Sequence, residues 1–249
     1  MHRRALVPFS LLVFAALVLA ACGAAAKPDL TDPAEIVTKA VAALQQAKTV
    51  HLAATVDGTL TADLTGTGIG ELKLTGTTLE GDLDLAGSNV HLTASVPAFL
   101  GLSADIIQVG ADTYTKISLA GPKYAKSTST TGSPTDPTTA LKQVQEFLAK
   151  PEVSPTKKDD AACGSKKCYQ VEINLTADEL KTLMPGTDVG DATLVVTLLI
   201  EKDTLYLTSA TALLKGTTVG EVTLTLTLSD WDKPVTITAP PADQVQAAV

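Results

Sequence analysis

At 249 residues the chain has room for one large domain or two small ones, and an apolar content of 45% is enough for a sizeable core. Aromatic residues make up only 4%, so that core must be built from Leu, Val, Ile and Ala. The net charge is −8; both arginines, Arg3 and Arg4, lie in the first four residues, and beyond them 17 lysines face 27 carboxylates, which argues against a nucleic-acid face and against an arginine-clamped anionic substrate.

The chain opens on His2, Arg3 and Arg4, followed by the apolar run "ALVPFSLLVFAALVLA" (5–20). That run is shorter than the roughly 20 residues a spanning helix needs, and no stop-transfer pattern follows it. A basic start, an apolar stretch and small residues together predict a secretory signal. "LAAC" (19–22) matches the bacterial lipobox, with Leu19 at −3, Ala20 and Ala21 at −2 and −1, and Cys22 at +1. The match implies cleavage before Cys22 and acylation of its sulfur and new amino group, as in diacylglyceryl and palmitoyl lipoproteins. Each buried methylene adds about 0.8 kcal/mol of membrane affinity, so two or three chains give a stable anchor. The expected division is a signal peptide over 1–21, a lipidated cysteine and tether over 22–31, and a single domain over 32–249. The expected location is the outer face of the cell membrane, held by the lipid.

Three helices are predicted. "DPAEIVTKAVAALQQAK" begins with Asp32 as cap and Pro33 at the first helical position, and its apolar stripe is Ile36, Val37, Ala40, Val41 and Leu44. "DPTTALKQVQEFLAKP" repeats the device with Asp136 and Pro137 and ends before Pro151. "TADELKTLMPG" has Thr176 and Glu179 at capping-box spacing and a stop at Pro185 and Gly186.

Period-two alternation predicts strands in "HLAATVDGTL", "GELKLTG", "EGDLDLAG", "NVHLTASV", "TYTKISL", "CYQVEINL", "ATLVVTLLIE", "TLYLTSATALL", "EVTLTLTLSD" and "PVTITAP". Turn signals are read at Asp57 and Gly58, Ala86 and Gly87, Lys202 and Asp203, and Lys215 and Gly216. "GTGIG" (66–70) lies between strand patterns and predicts a hairpin rather than a phosphate loop. The stretch "STSTTGSPTDP" (127–137) is the predicted linker, joining two halves of one sheet. Many strands at short spacing imply an antiparallel meander, and a sheet of that size must curl.

With Cys22 acylated, Cys163 and Cys168 remain, in "CGSKKCY". Outside the cytoplasm this spacing predicts a small disulfide, and no second ligand pair is near enough in sequence for zinc. Catalytic equipment is thin. His51 and His91 sit in strand patterns without a nucleophile motif, and there is no G-x-S-x-G elbow. Asp82 and Asp84 alternate with leucines, as a wet strand face does. Asp188 and Asp191 precede a strand and lack the further oxygen ligands of a calcium loop. No enzyme activity, metal or cofactor is expected.

Two longer stretches carry a family resemblance. "LSADIIQVGADTYTKISLAGPKYAK" (102–126), with Tyr114 and Tyr124, resembles the LppX/LprG (LppX_LprAFG) lipoproteins of actinobacteria in its order of apolar strand, turn, Tyr-bearing strand and aromatic before Lys. "SDWDKPVTITAPPADQV" (229–245) resembles that family's C-terminal ending. The Cys163 and Cys168 pair has no place in the pattern. The resemblance implies an α+β fold similar to the LolA/LolB carriers: a strongly curved antiparallel half-barrel, with helices across its concave face, around an apolar cavity. It also implies binding and carriage of acylated lipids or lipoglycans within the envelope.

Strand phase, not the family, supplies the expected lining: Leu74, Leu83, Leu85, Leu92, Val96, Leu194, Val196, Leu198, Leu224 and Leu226, with Phe99, Leu100 and Leu102 of "VPAFLGLS" at the mouth. The expected partners are an acylated lipid or glycolipid, the membrane through the anchor, and an envelope transporter. The alternative is an envelope sensor or assembly lipoprotein that uses the same fold to bind another protein.

Overall fold

Asp32 and Pro33 start the first helix as their order predicts. The Asp32 backbone stays extended and its carboxylate accepts a hydrogen bond from the Ala34 N–H at 3.0 Å. Pro33 takes the first helical position, where no N–H is needed. This helix, α1 (Pro33–Gln46), buries Ile36, Val37 and Ala40 from the predicted stripe. The capping box forms at the second helix, α2 (Ala177–Leu183): the Thr176 N–H and hydroxyl donate to Glu179 Oε2 at 2.7 and 2.8 Å, and the Glu179 N–H donates back to Thr176 Oγ1 at 3.4 Å.

The computed structural model describes residues 29–62, 70–128, 146–183 and 189–246. Cys22 and the signal sequence lie outside them, as do "GTGIG" up to Ile69, most of the linker, Asp188, and most of the helix expected over 137–150, which is described as helical at 146–148. Everything below belongs to one unit, Thr31–Val249.

Thirteen strands form one sheet: β1 (Thr49–Ala62), β2 (Gly70–Lys73), β3 (Thr77–Asp84), β4 (Asn89–Val96), β5 (Leu102–Val109), β6 (Asp112–Ile117), β7 (Ala125–Thr128), β8 (Pro155–Lys157), β9 (Ala161–Cys163), β10 (Lys166–Leu175), β11 (Thr193–Glu201), β12 (Leu207–Gly216) and β13 (Gly220–Ser229). Their order is β7-β6-β5-β4-β3-β1-β13-β12-β11-β10-β8, with β2 beside β1 and β9 beside β10. All these pairs are antiparallel, and the end strands β7 and β8 do not meet, so the sheet is open. The topology is two meanders, β3 to β7 and β10 to β13, seamed by β1.

Some expectations need correction. Asp57 and Gly58 are not a turn; β1 runs straight through them, pairing Asp57 with Thr223 and Gly58 with Val222. Gly58 sits at φ +114, and a Cβ there would collide with the Glu221 carbonyl. The glycine answers to a close approach of backbones, which in sequence looks the same as a turn. "PVTITAP" (234–240) pairs with no strand. Both flanks of β13 are already taken by β1 and β12, so the chain leaves the ladder at Ser229. It then crosses to the other meander, where Ile237 and Val245 pack on Ile107, Tyr114 and Tyr124. There Tyr124 bridges Val245: its N–H donates to the Gln244 carbonyl and its carbonyl accepts from the Gln246 N–H, both at 2.8 Å. The edge strands β7, β8 and β9 have three or four residues each, too few for alternation to register.

Cys163 and Cys168 are joined in a disulfide with Cα atoms 5.9 Å apart, across the β9–β10 hairpin that turns at Gly164. One core cluster packs Val153, Ile173, Leu175, Leu180, Val189 and Ala192 together, with Phe147 and Leu148 from the segment at 146–148 against it. Helix α1 touches β8 and β10, and α2 touches β11.

Candidate functional site

Directly paired residues on neighbouring strands point to the same side of a sheet. The register therefore assigns every strand residue to one of two faces. One row runs Ala94, Leu79, Ala54, Leu226, Ala210, Leu198, Val171 across seven strands. The next runs Ile106, Leu92, Gly81, Leu52, Leu228. This is an aliphatic face that passes unbroken through the β1 seam.

Eight of the ten residues expected to line a cavity lie on it: Leu83, Leu92, Val96, Leu194, Val196, Leu198, Leu224 and Leu226. The sequence alone could phase each strand but could not show that the two meanders present the same side. Leu74 and Leu85 follow β2 and β3 directly, and Phe99 lies in the β4–β5 turn. Seven of the eight are half-buried, and Leu224 is 41% exposed. Other members of the same face, Val90, Val171, Ile173 and Leu175, are covered almost completely, so the face is closed at β10 and at Val90 and more open elsewhere.

Where α1 meets the segment before β8, a groove of about 390 Å³ opens. Val37, Val41, Leu148, Val153 and Pro155 wall it, with Thr38 and Gln45 as its polar groups. Its size falls within the small-molecule range of about 300–1,000 Å³. None of the expected residues lines it. Val153 belongs both to this wall and to the buried cluster against which Leu194, Val196 and Leu198 pack. The α1 stripe carries no sign of the groove in sequence, because a stripe facing a groove and one facing a sheet have the same period.

The opposite face carries polar pairs beside the buried Ile107, Tyr114 and Tyr124 cluster. His51 Nδ1 lies 2.8 Å from Asp82 Oδ1, and His91 Nε2 lies 3.1 Å from Asp105 Oδ1. Linear spacing hid both partners, because each comes from a neighbouring strand. The Tyr124 hydroxyl donates to Asp105 Oδ2 at 2.6 Å, and Lys116 Nζ is 3.4 Å from the same oxygen. Burial pushes the Asp105 carboxyl up, but the Tyr124, His91 and Lys116 contacts outweigh it and hold the group below its ordinary value of 3.8. A carboxyl depressed by folding stabilises above that value, and its contribution is lost as pH falls through the depressed one. Tyr124→Phe is thus expected to destabilise the protein by about 1 kcal/mol at neutral pH. It should also move the Asp105 titration upward in carbon-detected NMR; an unmoved titration would break the link.

Trp231 and Asp232 close the seam. Trp231 stacks on Tyr206 with ring centroids 4.6 Å apart. Asp232 accepts from the Tyr206 hydroxyl at 2.6 Å and from the Lys48 N–H at 2.8 Å. The "SDWD" motif therefore pins the end of β13 to the start of β1 and the β11–β12 turn. Among the described residues, no group of three or more His, Cys, Asp or Glu is placed to hold a metal. No helix among them is long and apolar enough to cross a membrane.

The architecture is an open, wholly antiparallel sheet with one largely aliphatic face. The family model described as LppX_LprAFG lipoprotein matches residues 32–237, and the chain belongs to that family. Membership implies a lipoprotein anchored to a membrane of the cell envelope. The fold is similar to that of lipoprotein LppX from Mycobacterium tuberculosis, at 16% identity and a TM-score of 0.54, over 82% of this chain and 97% of that one. It is also similar to LprF from Mycobacterium bovis, at 19% identity and a TM-score of 0.53, over 84% and 96%. A search of curated proteins finds no match.

Proposed function

We propose that this protein is anchored through Cys22 at the outer face of the cell membrane, binds acyl chains of a lipid or glycolipid against its aliphatic face, and carries them within the envelope. The observation that carries this reading is the register, which gathers half-buried leucines and valines from both meanders onto one side. The mechanism is desolvation. At about 25 cal/mol per Å² of apolar surface, a few hundred Å² of acyl chain contributes several kcal/mol. An aliphatic wall reads shape poorly, so binding is tolerant of chain detail. No residue acts as a nucleophile or base in this scheme, and an envelope transporter is the protein partner such a carrier would work with.

The test is extraction of the purified, lipidated protein with organic solvent, followed by mass spectrometry. Non-covalent acyl lipid is expected in the extract, or uptake of added acyl lipid if the protein is purified empty. A lipid-free protein that takes up none would end the carrier reading. Leu92→Trp and Leu224→Trp are each expected to lower loading by filling the space beside the face. Unchanged loading in both folded variants would remove the face as the site.

A further inference from the structure

We propose that the turns at one end of the sheet dip into the surface of the bilayer that carries the anchor, so that the aliphatic face opens onto lipid without an intervening layer of water. The proposal rests on the anchored carrier reading above.

The observation is an apolar tip. The β4–β5 turn is "PAFLG" (97–101) and the β6–β7 turn is "SLAGPK" (118–123). They adjoin: the Ser118 N–H donates to the Ser103 carbonyl at 2.9 Å, and the Ser103 N–H donates to Ser118 Oγ at 3.0 Å. The short turn that interrupts the chain between β2 and β3, which both pair with β1, lies beside them along that strand, with Pro97 Cγ 3.6 Å from where a Cβ on Gly76 would stand. Phe99 is 46% exposed, Leu119 64% and Leu100 90%. Leu100 sits at φ +56, a left-handed conformation that leucine rarely adopts. The turn holds it there through three backbone bonds: Phe99 N–H to the Val96 carbonyl, Gly101 N–H to Pro97 and Leu102 N–H to Phe99. Backbone hydrogen bonding thus points the most exposed leucine away from the protein.

Charge selects the occupant. The chain carries 27 carboxylates and a net charge of −8, yet none of the carboxylates falls in these three turns, and Lys123 is their only charged residue. An anionic leaflet repels an acidic surface but accepts a neutral apolar tip with one cation. Side chains such as Leu and Phe gain free energy on entering the boundary between headgroups and acyl chains. Continuity supports the same choice. Val96 and Leu102 flank the tip and pair on the aliphatic face, with Leu92 and Ile106 paired behind them.

The full chain, acylated at Cys22, is reconstituted in phosphatidylglycerol–phosphatidylcholine vesicles, with Leu100→Cys carrying the environment-sensitive dye NBD. Ala86→Cys, exposed in the β3–β4 turn at the other end of the strands, is the control. A blue-shifted emission at position 100, quenched by spin-labelled lipid several-fold more than at position 86, is expected. Equal, water-like emission at both would overturn the proposal. So would a blue shift without vesicles that grows with protein concentration, since the tip would then be covered by a second copy. In the second arm, Leu100→Asp is expected to slow lipid uptake from vesicles about tenfold, as loss of one leucine's transfer out of water implies, and to leave uptake from detergent micelles unchanged. Equal slowing from both sources would make Leu100 part of the lipid site and overturn the bilayer role. A chain that loads lipid from neither source yet shows the quenching would support the membrane contact while ending the carrier reading.

Discussion

Ile173→Ala is expected to destabilise the protein by about 4 kcal/mol, measured by urea unfolding. Ile173 is 1% exposed in β10 and pairs with Val196 of β11 on one side and Pro155 of β8 on the other. Val153, Leu175, Leu180, Val189 and Ala192 form the rest of its cluster, which joins the sheet to α2 and the segment before β8. Elements on three sides fix the position of these neighbours, so they can collapse only partly into the space left, and the cavity term adds to the lost transfer free energy. A loss below about 1 kcal/mol would mean that this cluster yields like a surface. The variant also separates fold from site. Ile173 lies at the sealed end of the aliphatic face, so the folded fraction should still load lipid.

The second large effect is expected at Gly81. It lies in the middle of β3, paired with Leu52 of β1 and Leu92 of β4. A Cβ there would collide with the His91 carbonyl and stand 2.9 Å from Leu92 Cα, both backbone atoms that no rotamer change can move. Gly81→Val is expected to cost about 3 kcal/mol or more, because β3 must pull away from β4 to admit the side chain. Thermal unfolding measures it; a variant as stable as the parent would show that the strands have slack there. Gly81 sits between Leu92 and Leu52 in one row of the aliphatic face, so its bare backbone also leaves a low point in that surface.

The elements whose signals are local were legible in the sequence. Asp32 with Pro33, and Thr176 with Glu179, mark helix starts through contacts within three residues, and both formed. Alternation in 222–228 and 194–200 placed Leu224, Leu226, Leu194, Val196 and Leu198 correctly on shared strand faces, because Leu or Val alternating with Thr leaves one consistent phase. What a strand pairs with is set elsewhere in the chain, and there the reading failed. "PVTITAP" alternates as well as any strand here but follows a strand whose two flanks are already paired, and it joins no ladder. Gly58 looks like punctuation, yet it lies where two backbones nearly touch. The carboxylate partners of His51 and His91 are 31 and 14 residues away, brought beside them only by register. The groove walled by α1 was invisible for a related reason: Val37 and Val41 carry the same stripe whether or not anything faces them.

The seam made by β1 has a consequence for how the molecule is completed. β1 is made among the first residues of the body and β13 nearly last, and they pair from His51 with Ser229 to Leu60 with Gly220. Until Gly220–Ser229 has been synthesised, β1 offers one bare flank and the β10–β12 meander another. Contacts so distant in sequence form slowly. The sheet therefore cannot be completed across its middle until a strand near the C-terminal end has been made, and that strand is the one that joins its two halves.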